Sequence, residues 1–502
     1  MKWCMAIRCI KASSAALRHH HEAYDAELKT LLEFLDHEDV LVAYAAKEEL
    51  RKVLINDKIT ETSCANEIVR AFILMSTTNW RREASGFRFQ LLRQLLNVKK
   101  GKQLTEGGSA DEEGQLGCIV EHPYLHTVLV NLVQVGDMVC SVLVTADHSG
   151  GGVDRATSAP YSVQYEALVF LSEFVKRLHS LTIADRYQLE LSEHMMVLMD
   201  DVFITMDYVL QPTFISCAVL GLLGDFQELL KFWASQIQED EYCCLKSVLP
   251  KWLKLCLVWL LQSSCTSTAL RLLHDNEHTA VTSQRAFIAE SSRYPFLQQW
   301  LLYSSRMGTA YLKALLTQRQ SAGKDTLQMP TLPGKPYCSA KQLLSRQQLF
   351  TILAEQDDVM IEVLNGLMQM TILANHPSGS LSLLTQWCPS LTAYVTAEFD
   401  PDLLFADLVE ILGRDHLVLL DLLVSNETQM LEYLVRYLRH LNTHWDASKQ
   451  KLQACGRQES VMSVLIRLRL EIDRLVTADL FPYNAGPLVK RMKAIEQLYE
   501  EL

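Results

Sequence analysis

Apolar residues recur along this chain at intervals of three and four, the spacing that gathers side chains on one face of an α-helix. Near the start, Leu28, Leu31, Leu32 and Leu35 form one such stripe. The polar triplet His37-Glu38-Asp39 interrupts it, and Val40, Ala43, Tyr44, Ala46, Leu50, Val53 and Leu54 resume the period. Two amphipathic stretches joined by a short polar turn predict an αα-hairpin. Small alanines at the centre of the second stretch let a neighbouring helix come close, as in the inner helix of an armadillo-type unit. Further helical stretches are expected at 165–175, 189–209, 214–233, 245–262 and 296–316. The β-branched run at 139–144 continues a helical stripe, so it does not predict a strand.

The expected fold is therefore all-α: an armadillo/HEAT-like irregular α-solenoid or a multi-helix superhelical array, with disordered polar loops. No strict repeat of about 40 to 47 residues emerges, so any repeats are degenerate.

Polar and proline-rich breaks divide the chain. Residues 1–98 carry N-terminal helical hairpins. The Gly-rich stretch 99–117 is expected to be a flexible loop, because it is too polar to bury surface. Residues 118–320 form a central helical domain with a loop at 147–160. Pro330, Pro333 and Pro336 mark a linker at 321–340, since proline lacks the donor that helix interiors use. A helical domain at 341–446 continues the array, a loop follows at 447–460, and 461–502 closes the chain.

Composition narrows the function classes. The 502 residues are 49% apolar and 21% charged, ordinary values for a chain with a large core. A net charge of −12 argues against broad nucleic-acid binding, which needs a basic surface. The 13 cysteines contain no C-x-x-C pair, which suits reduced cysteines in an intracellular protein. No membrane span is expected. The stretch 124–144 contains His126, Asn131, Gln134 and Asp137, and 249–261 is too short and carries Lys251 and Lys254. Both read as core helices. Lys2, Arg8, Lys11 and Arg18 precede the first acid, Glu22, faintly like a mitochondrial presequence. We read that segment as a plain helix start.

Few motifs carry chemistry. His274, Glu277 and His278 fit H-x-x-E-H, the inverted zinc-peptidase pattern, whose two histidines must share a helix face. Here the pattern is polar and reads as a solvated loop. The pairs His122/His126 and His440/His444 sit four apart and are read as structural or solvated. Gly150-Gly151-Gly152 follows no strand, so it is not read as a phosphate loop. Asp200, Asp201 and Asp207 are expected on the exposed side of a helix. Arg436, Arg439, Arg467, Arg469, Arg474, Lys490, Arg491 and Lys493 give the C-terminal region a basic component. The seven other than Lys493 are a candidate interaction surface for an acidic partner, set against the plain polar faces of amphipathic helices.

The last hundred residues are the most specific text. Asn426 is placed to cap a helix, with Gln429 three residues on, as in a capping box. Leu431, Leu434, Val435, Leu438 and Leu441 are its expected buried stripe, and Val461, Leu465, Leu468, Ile472 and Leu475 that of the next helix. Phe481, Pro482, Tyr483 and Asn484 form a structural corner, and Gly486-Pro487 opens the last helix.

The segments LLDLLVSNET from Leu419, LEYLVRYL from Leu431 and LFPYNAGPLV from Leu480 resemble the Lines homolog family. The resemblance implies a central Lines-type domain at 118–320 and a C-terminal Lines domain at 461–502. It implies a helical, armadillo-like, non-enzymatic protein without catalytic residues or cofactors. It implies action through protein partners in developmental, Wnt-type signalling or transcriptional regulation. Cytoplasmic or nuclear residence is expected, although Lys99-Lys-Gly-Lys is short for a nuclear signal. The alternatives are a trafficking adaptor of the same helical architecture and a metalloenzyme using the H-x-x-E-H residues.

Overall fold

A computed structural model describes residues 2–19, 24–56, 82–97, 123–143, 159–179, 185–206, 214–236, 284–321, 344–374 and 399–501, with short pieces between 252 and 260. The described residues are helical, with no strand among them. The chain divides into two compact units, Met1–Leu255 and Cys256–Leu502. That division falls inside the segment 118–320 expected to be one domain.

In the first unit, α1 (Lys2–His19), α2 (Tyr24–Leu35) and α3 (Val40–Asn56) pack on one another. The expected hairpin is present. Its turn is fixed by His37 Nδ1, which accepts the Asp39 N–H at 3.0 Å, and by Asp39 Oδ1, which accepts the Leu41 N–H at 2.9 Å. Leu31, Leu35, Ala43, Ala46 and Leu50 are fully buried, whereas Val40 and Tyr44 are exposed and Val42 is buried. A single 3-10 turn, Glu83–Ser85, leads into α4 (Gly86–Leu96). The buried Arg88 guanidinium donates to Asp36 through Nε at 3.0 Å, which ties α4 to the hairpin.

The stretch 124–144 is two helices rather than one. α5 (Pro123–Val130) and α6 (Leu132–Leu143) meet at 83° around Asn131, whose side chain donates to Thr127 O at 2.8 Å. No single helix among the described residues is long and apolar enough to cross a membrane. α7 (Tyr161–Leu178), α8 (Asp185–Met206) and α9 (Phe214–Gln236) follow among the described residues. α7 packs between α4 and α9, and α8 packs on α6. Phe89, Phe170, Phe174, Phe226 and Trp233 fill the core. Asp200 and Asp201 are exposed, as expected, and Asp207 lies outside the described residues.

The second unit contains α10 (Gln284–Ser321), α11 (Arg346–Leu353) and α12 (Asp357–Ala374). Ser345 and Gln348 form a full capping box at α11. α10 and α12 cross closely, with Ser305 against Gly366 and Met370 against Gly308. A Cβ on Gly366 would lie 2.7 Å from Ser305 Cβ and 3.4 Å from its backbone carbon. Gly366→Val is therefore expected to cost about 1–3 kcal/mol through overpacking, read as a lower denaturation midpoint.

Among the described residues six helices follow: α13 (Pro401–Ile411), α14 (His416–Val424), α15 (Met430–Thr443), α16 (Trp445–Ala454), α17 (Gln458–Thr477) and α18 (Gly486–Glu500). The loop expected at 447–460 is corrected. α16 occupies most of it, and the break is only Cys455-Gly456-Arg457, where Gly456 takes φ +69°. The segment reads as polar because α16 buries only Ser448 and Leu452 and leaves its other faces to solvent. The proline segment does not separate two cores, because α10 on one side packs against α12 on the other. Its own residues from 322, the whole of 99–117 and most of 147–160 lie outside the described residues. Of the last, Ala159 is buried and Pro160 precedes α7. His122, His274, Glu277 and His278 also lie outside them.

Candidate functional site

The start of α13 sets a buried polar cluster of the second unit. Asp400 caps the helix by accepting the Asp402 N–H at 2.9 Å, and Pro401 occupies the first turn. That cap directs Asp402 inward, where it is fully buried. Around it stand His440 of α15, with Nε2 at 3.7 Å, and Lys451 of α16, with Nζ at 3.5 Å from Asp402 and 2.6 Å from Asp400. Ser448 and the hydroxyls of Tyr433 and Tyr437 are buried in the same region. The Phe405 ring stacks on Tyr437 at 4.0 Å and 20°. His440 and His444, four apart, bring their rings to 4.7 Å.

Charge follows from this geometry. Burial works to raise the Asp402 carboxyl, but His440, Ser448 and Lys451 outweigh it and hold the group below its ordinary value. Burial works to lower the Lys451 ammonium, and Asp400 and Asp402 together raise it. Burial, with the Asp402 charge added, raises the Tyr433 and Tyr437 phenols, so both stay neutral donors. A folded-state carboxyl held below its unfolded value stabilises the fold fully above the unfolded value, about 3.9. That stability is lost as pH falls through the lower folded value. The expected outcome is acid unfolding below about pH 4 that is shallower in Asp402→Asn, checked by melting across a pH series.

A second ion cluster lies further along α13. Asp407 pairs with Arg346 at 2.8 Å and with Arg457, and Glu410 pairs with Arg414 at 2.9 Å. The Asp407 contact raises the Arg457 guanidinium above its ordinary value. One short helix thus collects Arg346 from the start of α11, Arg414 from the turn after α13 and Arg457 from just before α17.

This arrangement ties α13, α15 and α16 together. Asp402 sits between His440 and Ser448, whereas nucleophilic catalysis needs the imidazole between hydroxyl and carboxylate. Among the described residues, no group of three or more His, Cys, Asp or Glu side chains is placed to hold a metal ion.

The expected basic surface is dispersed over α15, α17 and α18. Arg436 is tied to Asn365 of α12 and to Glu432. Asn365 donates in turn to Gln429 at 3.0 Å and Glu432 at 3.1 Å. Arg469 lies in a half-buried cluster with Glu496 and Asp473, each at 3.0 Å, and Glu496 chiefly raises it above its ordinary value. Arg474 pairs with Glu471 at 3.1 Å, and Arg467 donates to Ser463 O at 3.2 Å and Arg414 O at 3.3 Å. Arg439 and Lys490 are exposed and Arg491 is half-buried. Arg436, Arg469 and Arg474 are thus neutralised by carboxylates inside the unit.

The corner of Phe481, Pro482, Tyr483 and Asn484 is a docking point within the unit. Asp479 adopts φ +56°, the Phe481 and Tyr483 rings meet edge-on at 6.1 Å, and Asn484 Oδ1 accepts the Gly486 N–H at 3.1 Å. Tyr483 Oη lies 2.7 Å from Asn426 Oδ1 and 3.1 Å from Val424 O, at the end of α14. Asn426 therefore receives the corner and does not cap a helix. α15 starts at Met430 without a side-chain cap. Its buried stripe is also rotated from expectation, to Met430, Tyr433, Leu434, Tyr437, Leu438 and Leu441, with Leu431 and Val435 half-buried.

The family profiles described as Lines N-terminus and Lines C-terminus match residues 311–450 and 461–497. The first match overlaps the 118–320 segment expected to carry it only at 311–320 and otherwise lies downstream. Protein lines of Drosophila melanogaster is 31% identical over 180 residues, covering 35% of this chain and 19% of the relative. Protein Lines homolog 1 of Homo sapiens is 34% identical over 100 residues, covering 20% of this chain and 13% of the relative. The chain thus spans less than a fifth of the length of these curated relatives. No solved structure matches.

Proposed function

The chain belongs to the Lines family, and from that premise we propose that it is a non-enzymatic helical scaffold that acts by holding protein partners in developmental, Wnt-type signalling or transcriptional regulation. Membership points to a non-enzymatic regulatory protein. One observation carries the reading furthest: His440 of α15 and Ser448 of α16 surround the buried Asp402 carboxylate of α13, so that the polar groups bind three helices together. An irregular array of stacked helices suits such a role, because its faces offer long surfaces to partners. Intracellular residence belongs to the same proposal. Proximity labelling of the full chain in cells with quantitative mass spectrometry tests it. Reproducible enrichment of a small set of signalling or transcription proteins is expected, and no partner above background overturns the reading.

A further inference from the structure

α16 is held to the second unit differently from the helices on either side of it. α15 buries Met430, Tyr433, Leu434, Tyr437, Leu438 and Leu441, and α17 buries Val461, Met462, Val464, Leu465, Leu468 and Ile472. Of its 10 residues α16 buries only Ser448 and Leu452, with Trp445 and Lys449 half-buried. It also starts without a side-chain cap. A helix this short is marginal by itself in water, so its docking on α13, α15 and α17 has to hold it.

That docking is largely polar. Leu452 is its one fully buried apolar side chain. Lys451, with a side chain 43% exposed, reaches from the rim to Asp400 at 2.6 Å and Asp402 at 3.5 Å. Ser448 Oγ and both Asp402 oxygens lack a well-formed hydrogen bond among the described residues. Seating α16 over them therefore returns little for the water they lose.

Both ends of α16 are places where the chain turns. His444 alone separates it from α15, at φ −119° and ψ 30°. Gly456, at φ +69°, turns the chain toward α17, and Arg457 just beyond is fixed to Asp407. The flanks are thus anchored, while the segment between them rests chiefly on one leucine and one lysine.

We propose that α16 is a strap that opens on its own. It unwinds between His444 and Gly456 while α13, α15 and α17 stay folded, and its opening exposes the Asp402 carboxylate to solvent. Lys451 is its latch. Segments with few buried apolar contacts open at the lowest free energy in a fold, and α16 has the fewest of the three helices from α15 to α17. Access to the buried cluster is then set by α16, without unfolding of the unit. The strap is independent of which partners the chain holds.

Hydrogen exchange of the full chain, read by mass spectrometry across a urea series below the unfolding transition, tests the strap. Amides of α16 are expected to exchange about a hundredfold or more faster than those of α15 and α17. Their rates should stay nearly flat in urea, because a small opening exposes little surface, while those of α15 and α17 climb steeply. Lys451→Ala, a change at an exposed position, is expected to speed α16 exchange about threefold to fivefold. Equal protection in the three helices, one steep urea dependence shared by all, or an unchanged α16 rate in Lys451→Ala overturns the proposal.

Discussion

Phe405→Ala is expected to lower the stability of the unit Cys256–Leu502 by about 3–5 kcal/mol, the cost of emptying a fully buried aromatic site. The ring is flanked by Tyr437 at 4.0 Å and Tyr433 at 6.3 Å, so truncation removes stacking as well as apolar contact. The cavity would open beside the buried Asp402 cluster, where a neutral gap cannot replace lost packing. Differential scanning calorimetry of the full chain is the check. One transition should move down, while the other, belonging to the unit Met1–Leu255, stays in place.

Asp402→Ala is expected to cost about 3 kcal/mol. The substitution removes the charge that faces His440 and Lys451 and leaves the buried Ser448, Tyr433 and Tyr437 hydroxyls around an empty centre. The loss should fall at the lower end for a broken buried pair, because Lys451 keeps Asp400 at 2.6 Å and part of its exposure. Lys451→Ala, by contrast, should cost about 1 kcal/mol or less, since an exposed partner returns little when it pairs. Denaturant titration of the two variants measures the asymmetry. Equal losses would place the stabilising charge on the surface rather than on Asp402.

Much of this architecture is legible in the sequence, and the reasons differ by element. The α2–α3 hairpin reads correctly because its apolar stripe has one period and its turn residues have one use. α18 reads correctly because Gly486-Pro487 announces a helix start. α16 is missed because a surface helix with two buried residues has almost no apolar stripe. The α15 stripe is misassigned because Tyr433 and Tyr437 are amphipathic, and only the contact with Phe405 tells that their rings face inward. Asp402 is missed for a related reason. Asp400-Pro401-Asp402 is a readable cap, but which acid caps and which is buried depends on bases about 40 to 50 residues away in α15 and α16. The basic residues illustrate the converse. Their charges are plain in sequence, and Glu432 and Glu471 stand one helical turn from Arg436 and Arg474, while the pairing of Arg469 with Glu496 across α17 and α18 is fixed only by packing.

The matched segments 311–450 and 461–497 meet within one unit through α13 against α17, α14 against α17, α15 against α18, and Tyr483 against Asn426. They are accordingly expected to fold together. Hydrogen exchange of the full chain, compared between wild type and Phe405→Ala, tests this most directly. Protection should fall together in α12, α15, α17 and α18. A loss confined to α13 and α15, with 461–497 as protected as in wild type, would contradict it.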